Sequence, residues 1–169
     1  TTGAGSATTP AAAGTPAAAG TPAKVVPAGK VTIAIGADVE AMDPHKISGG
    51  ASYFVWASAY EGLMGMDPTG KVVPKLAESY KMLEGGKAYE FTLRKGVKFH
   101  NGDPMTAKDV EYSFKRATNP DLKAPNIGFT NMVDRLEVVD DYKVIYHLKN
   151  PDVMFPVHVA DPIYAVVPS

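Results

Sequence analysis

The sequence predicts a mixed α+β fold in which helices and strands follow no regular alternation. Stretches of alternating apolar and polar residues occur in pairs around turn sequences, which is typical of antiparallel hairpins. One longer segment instead repeats its apolar residues at helical spacing. Because the strands come as neighbouring pairs and not as βαβ units, we expect an antiparallel sheet with helices packed against it.

The amino-terminal segment has an unusual composition. Its first 23 residues are only Ala, Gly, Thr, Pro and Ser, so they cannot bury enough apolar surface to offset the entropy of ordering the chain. We predict a disordered tether over residues 1–29. Such a spacer is either an ordinary flexible terminus or the stalk that holds an exported domain away from a membrane anchor.

Residues 30–62 predict a strand, a loop and a helix in that order. The β-branched stretch 30–35, "KVTIAI", predicts a strand buried on both faces. The loop 43–50, "DPHKISGG", comes next. In 51–61 the large side chains share one helical face, and Gly62 is the expected end of the helix. That face carries Tyr53, Trp56, Ala57 and Tyr60.

Turn chemistry predicts two hairpins after this helix. Residues 63–80 form two extended pieces around a turn at 67–70, and Pro74 makes the second piece an edge. The next hairpin turns at 84–87, and its second strand alternates apolar with polar residues, which predicts one buried and one solvated face. The buried positions are Tyr89, Phe91 and Leu93.

The pattern changes to a helix at Thr106, the predicted N-cap, with Asp109 three residues later. The apolar stripe of this helix consists of Ala107, Val110, Phe114 and Ala117. A third hairpin is expected to turn at 140–141. Beyond it we predict a short helix opened by Pro151 and bent near Pro156, and then a last strand at "YAVVP".

Composition and charge exclude several classes of function. The 17 basic and 18 acidic residues are mixed along the chain with no basic run, which argues against nucleic-acid binding. The absence of cysteine excludes thiol catalysis, disulfides and cysteine metal sites. No two of the four histidines share a helix turn, so we predict neither a metal site nor a cofactor. These histidines are His45, His100, His147 and His158.

The loop "DPHKISGG" allows three interpretations: a metal site, an acid and base pair, or a backbone shaped to hold a ligand. Asp43 and His45 could form a hydrogen-bonded pair, so a hydrolase using them is the alternative from another class. Asp43 followed by Pro44 is also an ordinary turn opener. Gly49 and Gly50 expose backbone N–H and C=O groups, through which an extended ligand could bind by main-chain hydrogen bonds.

Three motifs carry a resemblance to a known family. They are "DPHKI" at 43–47, "YEGL" at 60–63 and "LRKGVKFHNGDPMTAKDVEYSFKR" at 93–116. In this order and spacing they resemble the peptide and nickel class of ABC-transporter substrate-binding proteins, which includes the oligopeptide- and dipeptide-binding proteins. The resemblance extends from about Lys30 to Ser169.

The resemblance implies a bilobed periplasmic-binding-protein type II fold that closes over its ligand. Members of the family are several times longer than this chain, so we expect an amino-terminal fragment. On this basis residues 30–50 would be the first strand and ligand-side loop of lobe I. Residues 51–169 would be the extra subdomain of that lobe, which would itself be incomplete, and lobe II would be absent.

The ligand-binding residues that the resemblance implies can be assigned by position. In oligopeptide-binding members, the loop after the first motif pairs with the ligand backbone, and its positions here are Ser48, Gly49 and Gly50. Ser48 stands where those members have a carboxylate, and Gly50 where they have a β-branched residue. An aromatic contact of the family aligns with Asn126, and Asp161 lies in a stretch that approaches the ligand groove.

The resemblance implies a non-enzymatic lipoprotein that binds oligopeptides or dipeptides and delivers them to the permease of an ABC importer. We expect a monomer in the periplasm or at the cell surface that touches the membrane only through a lipid anchor. A nickel-chelate receptor is an alternative, but this chain has Leu122 and Pro125 where that pocket uses Arg and Trp, and no methionine between Met42 and Met64. An oligosaccharide receptor is a further alternative.

Overall fold

The computed structural model describes residues 29–30, 32–46, 50–123, 131–161 and 164–169. The chain divides into two compact units, Thr1–Ile33 and Ala34–Ser169. The predicted tether at 1–29 lies, except for Gly29, outside the described residues. All helices and strands below belong to the second unit.

The prediction of a first strand at 30–35 is wrong. Residues 32–35 form no strand, and the side chains expected to be buried are open to solvent, with Ile33 80% and Ile35 38% exposed. A strand buried on both faces needs hydrogen-bonded neighbours and covering layers. No strand in the described ranges pairs with these residues. Their β-branched composition therefore does not produce a strand, because β propensity depends on packing against neighbouring strands.

The first helix, α1, spans Ala51–Trp56 and is shorter than the predicted 51–61. One further turn follows it, since Tyr60 N donates to the Trp56 carbonyl at 2.8 Å. The predicted helical face of large side chains is confirmed at its centre, because Trp56 is fully buried. Tyr53 and Tyr60, on either side of it, are half-buried.

The strands form two antiparallel sheets, and all three predicted hairpins are confirmed. The small sheet pairs β1, Met64–Met66, with β2, Val72–Pro74. The larger sheet has the order β3-β4-β6-β5. Its strands are β3, Ala77–Leu83; β4, Ala88–Leu93; β5, Val133–Asp140; and β6, Lys143–Leu148. In the central pair, Phe91 of β4 lies opposite Val144 of β6.

One face of the larger sheet forms the core, as the alternation in β4 predicted. Tyr89, Phe91 and Leu93 are all buried. Phe155 packs on this face with ring centroids 5.2 Å from Tyr89 and 5.4 Å from Tyr146. The second helix, α2, spans Ala107–Thr118 and contacts β5 and β6.

The start of α2 confirms the predicted cap. Asp109 Oδ2 accepts a hydrogen bond from Thr106 N at 2.8 Å, so the carboxylate satisfies a backbone donor that the helix leaves unpaired. Glu111 and Lys115 form an exposed pair one turn apart, with Lys115 Nζ 2.8 Å from Glu111 Oε1.

The last two elements differ from their predictions. The third helix, α3, spans Phe155–His158 and so begins later than the predicted start at Pro151. Before it, Asp152 Oδ1 accepts a hydrogen bond from Met154 N at 2.8 Å and turns the chain. Pro156 lies in the first turn, where its missing N–H costs nothing, so the expected bend is absent.

The prediction of a last strand at "YAVVP" is also wrong. Residues 164–169 form no strand. Their hydrogen bonds go mainly to side chains of α2 and to the Glu61 carbonyl, which accepts from Val166 N at 3.0 Å. None of the helices in the described part of the chain combines the length and apolar character that a membrane span needs.

Candidate functional site

Two of the five predicted ligand contacts, Gly50 and Asp161, are described by the structure, whereas Ser48, Gly49 and Asn126 lie outside the described residues. Gly50 caps α1 with φ 70° and ψ −157°, a backbone conformation that is essentially restricted to glycine. Its carbonyl accepts from Tyr53 N at 3.3 Å. In this chain, the absence of a side chain at Gly50 therefore allows the turn into the helix.

Asp161 lines a surface groove of about 480 Å³. The groove lies between α1, the segment that contains β1, and the end of α3. Its lining is partly aromatic, with Tyr53, Tyr60 and Tyr164, and partly charged. Gly50 is not among the lining residues, so among the described residues the structure does not bring the two predicted contacts into one cavity.

The polar groups of the groove suit a ligand that carries charges of both signs. Burial and the negative charge of Asp161 raise the pKa of Tyr53, and the same two causes raise the pKa of Tyr164. Both hydroxyls therefore stay protonated near neutral pH and can donate hydrogen bonds. Lys75 Nζ lies 3.2 Å from Glu61 Oε1, and both of these side chains are about half exposed.

The wall of the groove depends on Gly62, within the "YEGL" motif. A Cβ atom at this residue would lie 2.9 Å from the Val159 carbonyl oxygen and 3.3 Å from that of Met64. Both atoms are backbone and cannot turn aside. The absence of a side chain at Gly62 therefore allows this segment to lie directly against the end of α3.

Asp43 and His45 are both bound by Arg116 of α2. The guanidinium is bidentate to Asp43, with Nη2 2.6 Å from Oδ2 and Nη1 2.9 Å from Oδ1. Arg116 Nη1 also lies 2.8 Å from His45 Nδ1. Because arginine only donates, Nδ1 must accept, and Nε2 carries the proton that it donates to the Ala165 carbonyl at 3.0 Å. We call these four groups the Arg116 network.

Hydrogen bonding and burial in the Arg116 network shift the pKa values of its members. The Arg116 hydrogen bond is the main cause that lowers the pKa of Asp43, and Asp43 in turn raises the pKa of Arg116. Burial lowers the pKa of His45, which is only 3% exposed. Asp43 and His45 therefore do not form the side-chain hydrogen bond on which the hydrolase alternative was based, because the Asp43 carboxylate bonds to Arg116 and both ring nitrogens of His45 have other partners.

Within the described residues, no cluster of three or more His, Asp or Glu side chains is placed to hold a metal ion. Leu122, where the resemblance implies the arginine of a nickel-chelate pocket, is half-buried in a 3-10 turn at Pro120–Leu122. Pro125 lies outside the described residues.

Sequence reasoning missed Arg116 and the three tyrosines of the groove. Arg116 ends the longest family motif, but its partners Asp43 and His45 are 73 and 71 residues away. One signal was available: Asp109, Ser113 and Arg116 recur at helical spacing beside the apolar stripe of α2. A polar row next to a buried face indicates side chains that hydrogen-bond to another segment.

Comparison with known proteins identifies the family. Residues 71–168 match the family described as "Bacterial extracellular solute-binding proteins, family 5 Middle". This match covers more than half of the chain. The chain belongs to family 5 of the bacterial extracellular solute-binding proteins, as its motifs predicted.

Individual relatives agree with this assignment. The glutathione-binding protein GsiB of Pectobacterium atrosepticum is 34% identical over 140 residues, which are 83% of this chain and 27% of GsiB. Haemophilus influenzae OppA in complex with RPPGFSPFR has a TM-score of 0.75 at 29% identity, over 79% of this chain and 29% of OppA. Helicobacter pylori DppA in complex with the peptide STSA has a TM-score of 0.69 at 26% identity, over 79% of this chain and 30% of DppA.

These matches confirm the predicted mixed fold of the periplasmic-binding-protein type II class. The chain spans about 27% of the length of GsiB. The two solved relatives named above are complexes with peptides.

Proposed function

We propose that this chain forms part of the substrate-binding component of an ABC importer and helps to bind an oligopeptide or dipeptide. The observation that carries the proposal is the likeness to peptide-bound OppA, at a TM-score of 0.75 over 79% of the chain. The groove beside Asp161 supports it, because hydroxyl donors, carboxylates and a cation together suit a zwitterionic ligand. The role is one of binding and not of catalysis.

The chain corresponds in this proposal to the amino-terminal part of a longer receptor. Residues 30–50 belong to lobe I, and residues 51–169 form its extra subdomain. The coverage of about 27% of GsiB supports this division, because the remaining length leaves room for the rest of lobe I and for a second lobe. Closure of two lobes over the ligand would then favour the state that the permease recognises.

The proposed ligand contacts are those that the family resemblance implies. Ser48, Gly49 and Gly50 contribute backbone contacts, Asn126 takes the place of an aromatic contact, and Asp161 contributes from the groove. Gly50 supports part of this assignment, since it carries no side chain that could shield its own peptide groups from a ligand.

The proposed location is the periplasm or the cell surface, with the tether at 1–29 leading to a lipid anchor and the receptor acting as a monomer. The composition of the first 23 residues supports a spacer role. Radiolabelled palmitate incorporation by cells that express the complete gene, followed by fractionation, tests the anchor. Release of unlabelled protein into the soluble periplasmic fraction would contradict it.

Glutathione is a second candidate ligand, favoured by the identity of 34% to GsiB over 83% of the chain. Titration calorimetry of the complete gene product with trialanine, a mixture of longer peptides and glutathione separates the two. Saturable binding of the peptides alone supports the oligopeptide proposal, and binding of glutathione alone supports the second candidate. Binding only of a nickel chelate or an oligosaccharide, or hydrolysis of the peptides, would overturn both.

A further inference from the structure

The loop between Glu40 and Ser52 is closed at its base. Glu40 N donates to Ser52 Oγ at 2.9 Å, and Ser52 is buried on α1. Within the loop, His45 N donates to Asp43 Oδ1 at 3.1 Å and shapes the turn. A closed base determines where the loop starts and ends. This single hydrogen bond does not by itself fix the orientation of the turn at residues 43–46.

Arg116 supplies a second fixed point. Its guanidinium is planar and its N–H groups point in set directions, so two partners, Asp43 and His45, fix the orientation of the turn. A lysine ammonium at this position would keep the charge without this directional control. The contact is partly shielded, since the Arg116 and Asp43 side chains are each about a quarter exposed.

The Arg116 network continues into the segment that follows the groove. His45 Nε2 donates to the carbonyl of Ala165, which is fully buried and follows the groove-lining residue Tyr164. One arginine on α2 therefore bonds to the loop that leads to Gly50 and, through His45, to the segment that leads away from Asp161. Every one of these contacts lies within the second compact unit.

We infer that Arg116, acting through Asp43 and His45, is a positioning residue for ligand binding. It holds the turn at 43–46, before Gly50, and the segment at Ala165, after Asp161, in one fixed relation. This role of the Arg116 network in ligand binding rests on the proposed function, because Gly50 and Asp161 are ligand contacts only in that proposal. Arg116 itself does not need to touch the ligand.

Hydrogen exchange of the 169-residue chain without ligand tests the positioning directly. In Arg116→Lys, we expect amides of residues 43–52 to exchange at least about ten-fold faster. Amides of β4 and β6, which report global unfolding, should keep their rates. The matched control is Lys115→Ala on the same helix, since Lys115 makes only an exposed pair with Glu111, and its loop rates should equal those of the wild type.

Two results would overturn the inference. Unchanged loop rates in Arg116→Lys would show that the guanidinium does not hold the turn. Equal increases in the loop and in the sheet would show that Arg116 only stabilises the fold. If Arg116→Lys fails to fold, Asp43→Asn provides the test, because it keeps the shape and removes the charge. Loop exchange at the wild-type rate in Asp43→Asn would also overturn the inference.

Ligand affinity gives a second readout on the complete gene product. With trialanine and glutathione as probes, we expect Kd to rise at least about ten-fold in Arg116→Lys and to stay unchanged in Lys115→Ala. Equal affinity of Arg116→Lys and wild type would overturn the positioning role while leaving the proposed function intact. A wild type that binds neither probe would overturn the proposed function, and with it the purpose assigned to the network.

Discussion

Ser113 Oγ accepts a hydrogen bond from Val167 N at 2.9 Å, and the same hydroxyl lies 2.7 Å from the Asp109 carbonyl oxygen, to which it donates. One buried hydroxyl thus links α2 to a segment that has no strand partner. Asp109 Oδ1 extends the link by accepting from Ser169 N at 3.0 Å. The end of the segment, residues 167–169, is therefore bound by side chains of α2, whereas a strand in a sheet would be bound by backbone groups.

Replacement of Ser113 by alanine should destabilise the fold. Val167 N would lose its acceptor in a site where Ser113 is only 5% exposed, and a buried unpaired donor costs about 1–3 kcal/mol. Urea denaturation followed by tryptophan fluorescence measures the change. Ser79→Ala, at an exposed position on β3, is the control and should stay within about 0.5 kcal/mol of the wild type.

Truncation of Phe155 should produce the largest single loss of stability among these predictions. Its ring fills the core face of the larger sheet between Tyr89 and Tyr146, so Phe155→Ala removes about 3–5 kcal/mol by loss of burial and by the cavity left behind. Thermal unfolding by circular dichroism measures the change. Val153→Ala, two residues earlier and 72% exposed, should have almost no effect. Similar losses from both variants would contradict the placement of Phe155 in the core.

A methyl group at Gly62 should also be destabilising, although alanine is otherwise a mild substitution. The new Cβ would lie 2.9 Å from the Val159 carbonyl oxygen, so α3 or the "YEGL" segment must shift at a cost of about 1–3 kcal/mol. Chemical denaturation checks this expectation. Gly36→Ala, where a Cβ would meet no atom within 4 Å, should leave the denaturation midpoint unchanged or raise it slightly. An unchanged denaturation midpoint in Gly62→Ala would show that the backbone around Gly62 can shift without cost.

Acid should weaken the fold through His45 and Asp43. Burial lowers the pKa of His45, so the unfolded chain binds its proton more readily, and the stability is complete above about pH 6.5 and falls below it. The lowered pKa of Asp43 acts in the same direction: its contribution is present above its ordinary pKa and is lost as the pH falls further.

Urea titrations at a series of pH values test this dependence. The midpoint of the wild type should fall between about pH 7.5 and 5. His45→Gln keeps one donor and one acceptor but takes up no proton, so its decline over the same range should be smaller. An identical decline in the two proteins would rule out His45 as the source of this pH dependence.

The 169-residue chain alone should bind peptide weakly. If the proposed function is right, the chain supplies only one wall of the ligand groove, and half a set of contacts does not offset the entropy lost on association. We expect Kd no tighter than about 1 mM for trialanine or glutathione by titration calorimetry. Micromolar binding by the chain alone would contradict the division into two walls.

Local signals in the sequence were sufficient for the elements whose partners are close in the chain. The alternation of Tyr89 and Phe91 around a short turn predicted β4 and its buried face, and Thr106 with Asp109 predicted the start of α2. The failures at 30–35 and "YAVVP" have the opposite cause. Both stretches have the composition of a strand, but a strand also needs a neighbouring strand to pair with. The residues of the stretch alone do not show whether such a neighbour is present.

The site was harder to predict than the fold. At the start of "DPHKISGG", Asp43 accepts hydrogen bonds from His45 N and from Arg116, which agrees with the interpretation of a shaped backbone, while the ligand contacts of this loop stay a prediction. The residue that holds the turn, Arg116, lies 73 positions after Asp43, and no periodicity links two positions so far apart. The groove tyrosines come from α1, from the turn after it and from the segment after α3, so only the folded chain brings them together.

The strand order β3-β4-β6-β5 has a consequence for the folding rate. Each outer pair is a hairpin that can form within its own short stretch of chain. The central ladder joins Phe91 to Val144 and must close a long loop that includes α2, at an entropic cost that local pairing does not carry. Formation of β4–β6 should therefore limit the rate of folding, and chains caught before it would expose Tyr89 and Phe91 on an unpaired edge, where they could associate with other chains.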